Sequence, residues 1–217
     1  MWGKIIIGSM IVGALGWVGW SVIRPAPGTR LVDQGRDHVT VEEVAKFYYN
    51  SNPPTSGPHL PTWVKAGVFN EPQSEGELIH SLEHGYVIIS YNCNVHLKSQ
   101  KSIKSIKSIK SESLKVYAHE ETGSPSADFV DPTISTGSAT NDTDGCKTLV
   151  KNLTELANKK KLWKLAVVPR PQLNTTIALT AWNYLDAFDP SADGFDAGRI
   201  ERFIDYHRDG GPEKTME

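Results

Sequence analysis

At 217 residues, with 39% apolar content and a mean hydropathy of −0.35, the chain is long enough for one good-sized domain or two small ones. Its 23 basic and 25 acidic residues give a net charge of −2 and a pI near 6.4, which leaves no basic footprint for nucleic acid.

Residues 5–23 carry no charged side chain, hold Trp17 and Trp20 near one end and are flanked by Lys4 and Arg24. Such a stretch spans a bilayer as a helix. It is long for the apolar part of a cleaved signal peptide, and no small-x-small site precedes Pro25-Ala-Pro27, so an uncleaved anchor (1–24) is expected, cleavage being the alternative. With so short an end before the span, the body is expected on the extracytoplasmic side. Cysteine usage points the same way: Cys93 and Cys146 are the two cysteines, and an even number in an exported chain reads as one disulfide closing a loop of about 50 residues.

Residues 25–34, beginning Pro25-Ala-Pro-Gly28, read as a stiff linker, 35–213 as the exported domain and 214–217 as a tail. Apolar spacing over 39–49 fits a short helix or a strand equally poorly. His38, just before it, is by default a surface residue. Asn50-Ser-Asn-Pro-Pro-Thr-Ser-Gly-Pro-His59 cannot be regular structure, because Pro53, Pro54 and Pro58 remove donors and force their predecessors extended; it reads as a rigid loop ending on a histidine. Residues 61–68 fit a short helical turn, and 70–76 a polar loop.

The central motif is Glu77-Leu-Ile-His80-Ser-Leu-Glu83-His84-Gly85. In a helix, His80 and His84 lie one turn apart on one face, the spacing two ligands need to reach one ion. Gly85 ends that helix, and Tyr86-Val-Ile-Ile-Ser-Tyr91 reads as a buried strand. Residues 98–110 repeat Ser-Ile-Lys with a period matching neither helix nor strand, and with 120–144 they read as a low-complexity or loop insertion (98–143). A helical face returns at Leu149, Val150, Leu153 and Leu156, with Asp144 as N-cap; 162–168 and 175–184 read as strands and 197–207 as an amphipathic helix closed by Gly210-Gly-Pro212. The expected fold is α+β, a single mixed sheet with packed helices, preceded by one N-terminal transmembrane helix.

Asn-Pro-Pro-Thr-Ser-Gly-Pro-His59, His80-Ser-Leu-Glu-His-Gly-Tyr-Val, Ile177-Ala-Leu-Thr-Ala-Trp182 and Phe203-Ile-Asp-Tyr-His-Arg-Asp-Gly-Gly-Pro-Glu213 resemble the signature blocks of the bacterial domain of unknown function 3105 family. The resemblance runs from about Gly35 to Glu213 and departs from the family pattern over 94–142. It implies a single exported or membrane-anchored domain and supplies no activity.

Three functional readings follow. The first is a mononuclear site on His59, His80 and His84, with His38 as a further ligand. Imidazoles suit copper, zinc, nickel and iron, and with no carboxylate clearly in the set and an extracytoplasmic location copper is favoured over zinc; Met216 is a weaker axial candidate. The second takes His80-Ser-Leu-Glu83-His84 as the H-x-x-E-H order of a zinc hydrolase, Glu83 serving as general base; otherwise Glu83 orients a histidine. The third is a metal-free peptide or ligand groove formed by the Pro-rich loop with Trp63 and Trp182. Protein partners and any substrate are not legible.

Overall fold

The computed structural model describes residues 25–95, 144–190 and 195–216. The apolar stretch 5–23, the Ser-Ile-Lys repeat, His96 and His119 lie outside them. No helix among the described residues is long and apolar enough to cross a membrane.

Along the chain come β1 (Thr29–Arg30), α1 (Val41–Lys46), β2 (Gly67–Val68), α2 (Glu75–Glu83), β3 (Val87–Tyr91), α3 (Asp144–Lys159), β4 (Leu165–Pro169), β5 (Ile177–Ala181), β6 (Tyr184–Phe188) and α4 (Ala197–His207). One six-stranded mixed sheet runs β1-β6-β5-β3-β4-β2, the α+β class that the sequence predicts. At its centre β3 pairs in parallel with β4, Val87 opposite Leu165, and antiparallel with β5, Ile89 opposite Leu179. Parallel neighbours need a crossover, and α3 lies on it.

Alternation along the central strands divides the core. Val87, Ile89 and Tyr91 point with Leu165, Val167, Ile177 and Leu179 to one face, where Leu149 and Leu153 of α3 and Ile200, Phe203 and Ile204 of α4 cover them. Ile88, Ala166 and Val168 point to the other, under Leu78, Ile79 and Leu82 of α2 with Val64 and Trp182. A strand buried on both faces reads as a continuous apolar run, which is why 86–91 lacks alternation in the sequence. Cys93 and Cys146 form a disulfide across a sequence separation of 53, joining the end of β3 to the first turns of α3 inside the first core.

Several elements depart from expectation. The run 175–184 is not one strand: β5 ends at Ala181, Trp182 and Asn183 turn the chain, and β6 returns with Tyr184 paired to Ala181. Asn183 takes φ +63°, the left-handed conformation asparagine tolerates better than other non-glycine residues, so the turn carries no glycine to announce it. The segment 39–49 is helical at α1, whose Thr40 and Glu43 form a reciprocal capping box. Residues 61–68 end in edge strand β2 rather than a helical turn, because Gly67 and Val68 pair with Ala166 and Val167. The strand expected over 162–168 is displaced to Leu165–Pro169, since Lys161, Leu162 and Lys164 adopt φ of 63°, 52° and 45° while leaving α3. Asp144 lies in the first turn of α3. Within the stretch read as a linker, Thr29 and Arg30 pair with Leu185 and Tyr184.

That edge is also tied by His207, which donates from Nε2 to the Pro27 carbonyl at 2.8 Å and is ringed by Tyr184, Phe203 and Tyr206. Burial pushes the His207 imidazole below its ordinary 6.5, against the upward pull of the Pro27 hydrogen bond. The fold therefore prefers the neutral ring: its contribution is complete above about 6.5 and is lost as pH falls through the lowered folded value, because the unfolded chain binds the proton first. A His207→Phe variant should show a shallower loss of stability on acidification below pH about 6.5, as read by urea unfolding at a series of pH values.

Candidate metal centre

Four segments meet on the α2 side of the sheet. His38 and His59 are opposite members of a parallel bridge: Val39 donates to the His59 carbonyl at 2.8 Å and His59 to the Asp37 carbonyl at 3.0 Å. The Pro-rich loop carrying His59 is packed scaffold, with residues 53–57 all buried. Tyr49 donates to the Pro58 carbonyl at 2.6 Å. Arg170, just beyond β4, holds the Asn52 side chain at 2.9 and 3.1 Å and pairs with Glu75 in the first turn of α2. One guanidinium thus clamps both site-bearing elements to the sheet. At the turn between β5 and β6, Trp182 and Asn183 donate to Asp33 at 3.0 and 2.8 Å, fixing the segment that leads to His38.

α2 supplies the remaining groups. Leu78, Ile79 and Leu82 face the sheet, so His80 and Glu83, three residues apart, share another face. Helix α2 ends at Glu83; His84 is its C-cap, and Gly85 takes φ +84°, the left-handed conformation that reverses the chain into β3. One ligand atom from each of His38, His59, His80 and Glu83 lies within 4.8 Å of all the others. His59 is 0%, Glu83 3% and His80 4% exposed.

Backbone carbonyls settle the tautomers. The Gly57 carbonyl lies 2.8 Å from His59 Nδ1 and the Leu60 carbonyl 2.7 Å from His80 Nδ1; a carbonyl only accepts, so both Nδ1 atoms carry the proton and both neutral Nε2 atoms present lone pairs. His59 Nε2 faces Glu83 Oε2 at 3.1 Å, and His38 Nε2 is 3.9 Å from the same oxygen. Burial pushes the His80 imidazole below its ordinary range, offset by its bond to Leu60 and reinforced by the neighbouring rings of His84, His59 and His38. That lowering favours the uncharged imidazole, the form a metal ion would take.

An ion with bonds of about 2.1 Å in tetrahedral array holds its donor atoms roughly 3.4 Å apart. The two distances to Glu83 Oε2 bracket that figure. Partial negative charge at the C-terminal end of α2 adds to the preference for a cation.

His84 stands beside this group rather than in it. Its Nε2 lies 3.0 Å from His80 Nε2, as their spacing predicts, and 3.8 Å from Glu213 Oε2. The geometric group thus takes His59 and His80 from the expected triad, adds the exposed His38 and includes Glu83. Met216 is fully exposed and is not in the clustered group. Arg36, Arg170, Asp33 and Glu213 were not anticipated around the site; the capping box Thr40-Val-Glu-Glu43 was a readable signal that His38 abuts a helix start and an ordered backbone.

A family model described as a protein of unknown function (DUF3105) matches residues 38–129 and 139–217. The chain belongs to that family. The match includes all four clustered residues; it also takes in most of the stretch 94–142 that was expected to depart from the family pattern, and breaks only over 130–138. Neither a curated protein nor a solved structure matches the chain.

Proposed function

We propose that this is a membrane-anchored extracytoplasmic protein that binds one divalent transition-metal ion through His38, His59, His80 and Glu83, with copper ahead of zinc. The observation that carries the metal reading is the meeting of His59 Nε2 and Glu83 Oε2. With the imidazole proton committed to Gly57, two acceptors face each other in a buried site, and only a positive charge between them, a proton or a cation, makes the contact favourable. His38 and His80 converge on the same point, which a lone shared proton does not explain.

Glu83 bears on the metal's identity. A carboxylate among three imidazoles is a harder set than histidines alone and suits copper(II) or zinc(II) over copper(I); among divalent ions the affinity order peaks at copper. The anchor rests on the uncharged stretch 5–23, and the exported location on that stretch together with the disulfide. A zinc hydrolase has less support, because Glu83 sits among the ligand atoms instead of facing a metal-bound water as a base. The peptide-groove reading is weaker still: Trp182 is buried and bonded to Asp33, and the Pro-rich loop is packed inside.

The deciding experiment is elemental analysis of the full chain purified without chelator or affinity histidines, followed by copper and zinc titration. One ion per chain is expected, lost in His80→Ala and Glu83→Gln with circular dichroism unchanged. Full metal content in both variants would overturn the assignment. Loading at a hundredfold excess over Kd should add about 2.7 kcal/mol to stability, removable by chelation.

A further inference from the structure

We infer that the metal centre accepts a small exogenous anion, such as a carboxylate or other oxyanion, held between the ion and Arg36. This rests on the metal reading above. His59, His80 and Glu83 enclose the site from the protein side, whereas the side chains of His38 and Arg36 are 49% and 59% exposed; solvent reaches the ion past these two.

Glu83 divides its carboxylate between them. Oε2 faces the imidazoles, and Oε1 lies 3.8 Å from Arg36 Nη1, too far for a hydrogen bond. Among the described residues the guanidinium has no hydrogen-bond acceptor, so its donors are available to a ligand. The backbone that carries it is nevertheless fixed. Gly35 donates to Asp33 at 2.8 Å and accepts from Gly57 at 2.9 Å, so the backbone beside Arg36 is tied to both the β5–β6 turn and the His59 loop.

Charge completes the argument. A divalent ion with one carboxylate leaves a net positive centre, Arg36 adds another positive charge at its mouth, and an entering anion neutralises part of the sum. Four protein donors leave copper(II) an open position, and the guanidinium fork matches the planar geometry of a carboxylate-like oxyanion.

The test uses the full chain loaded with copper(II) and titrated with azide or formate, followed by charge-transfer absorption and electron paramagnetic resonance. Arg36→Gln is expected to keep one copper per chain and weaken anion binding roughly ten- to hundredfold, the factor that losing a hydrogen bond to a charged group brings. Arg36→Lys should recover part of it. Unchanged anion affinity in Arg36→Gln overturns the inference while leaving the metal site standing, as does loss of copper in that variant, which would make Arg36 a support for Glu83. A wild-type chain that binds no copper or zinc overturns both readings.

Discussion

Gly211→Ala is expected to destabilise the domain by at least about 3 kcal/mol and to weaken metal binding along with it. After α4 the chain turns at residues 209–213 and lies against the end of the site helix, where Asp209 donates to the Gly85 carbonyl at 2.8 Å and Glu213 to the Glu83 carbonyl at 3.1 Å. A Cβ on the buried Gly211 would stand 2.2 Å from the Glu83 carbonyl oxygen and 2.3 Å from the Gly85 nitrogen. Neither atom belongs to a side chain that can rotate aside. One of two backbones must move, and one of them carries Glu83. A loss of about 3 kcal/mol lowers Tm by roughly 6–12 °C in a chain of this size. Gly198→Ala is the control: its added methyl meets only the Asp196 carboxylate at 3.7 Å, in the first turn of α4, and helix propensity favours it. Thermal unfolding of the two variants, each with and without copper, separates them; a Gly211→Ala protein as stable as wild type would show that the packing of the C-terminal segment is not needed.

Removing the disulfide should have an effect at least as large. Opening a closed loop of 53 residues restores chain entropy to the unfolded state worth about 4 kcal/mol in the loop-closure account. Both cysteines are buried among Tyr91, Leu149 and Leu153, so a Cys93→Ala/Cys146→Ala chain also loses sulfur packing. Urea midpoints for wild type and the double variant give the difference directly. Because the bridge is enclosed, reductant should act on the wild type only as fast as the core opens.

Much of this architecture was legible in the residues. Cys93 and Cys146 announced a bridge, Gly85 announced the end of the central helix, and α4 spans the same residues in the sequence reading and the fold. The turn at Trp182-Asn183 was missed because local turn chemistry normally rests on glycine, and here asparagine takes the left-handed conformation among strongly β-forming neighbours. The arrangement around the candidate metal centre was harder for a different reason. Helical periodicity brings His80 and His84 together, and they do meet at 3.0 Å, but it cannot report which face of α2 receives His38 and His59. That choice is made by the bridge between His38 and His59 and by the Arg170 clamp, contacts between residues distant in sequence. They leave no periodic trace.

The Cys93–Cys146 bridge has a further effect on the continuity of the chain. The two Cα atoms are 5.3 Å apart, and one covalent path between them runs through residues 94–145 while a second, much shorter, runs through sulfur. Cleavage of any single peptide bond between the cysteines, at the lysines of the Ser-Ile-Lys repeat for example, therefore leaves one covalent molecule. Its two fragments separate on a denaturing gel only after reduction.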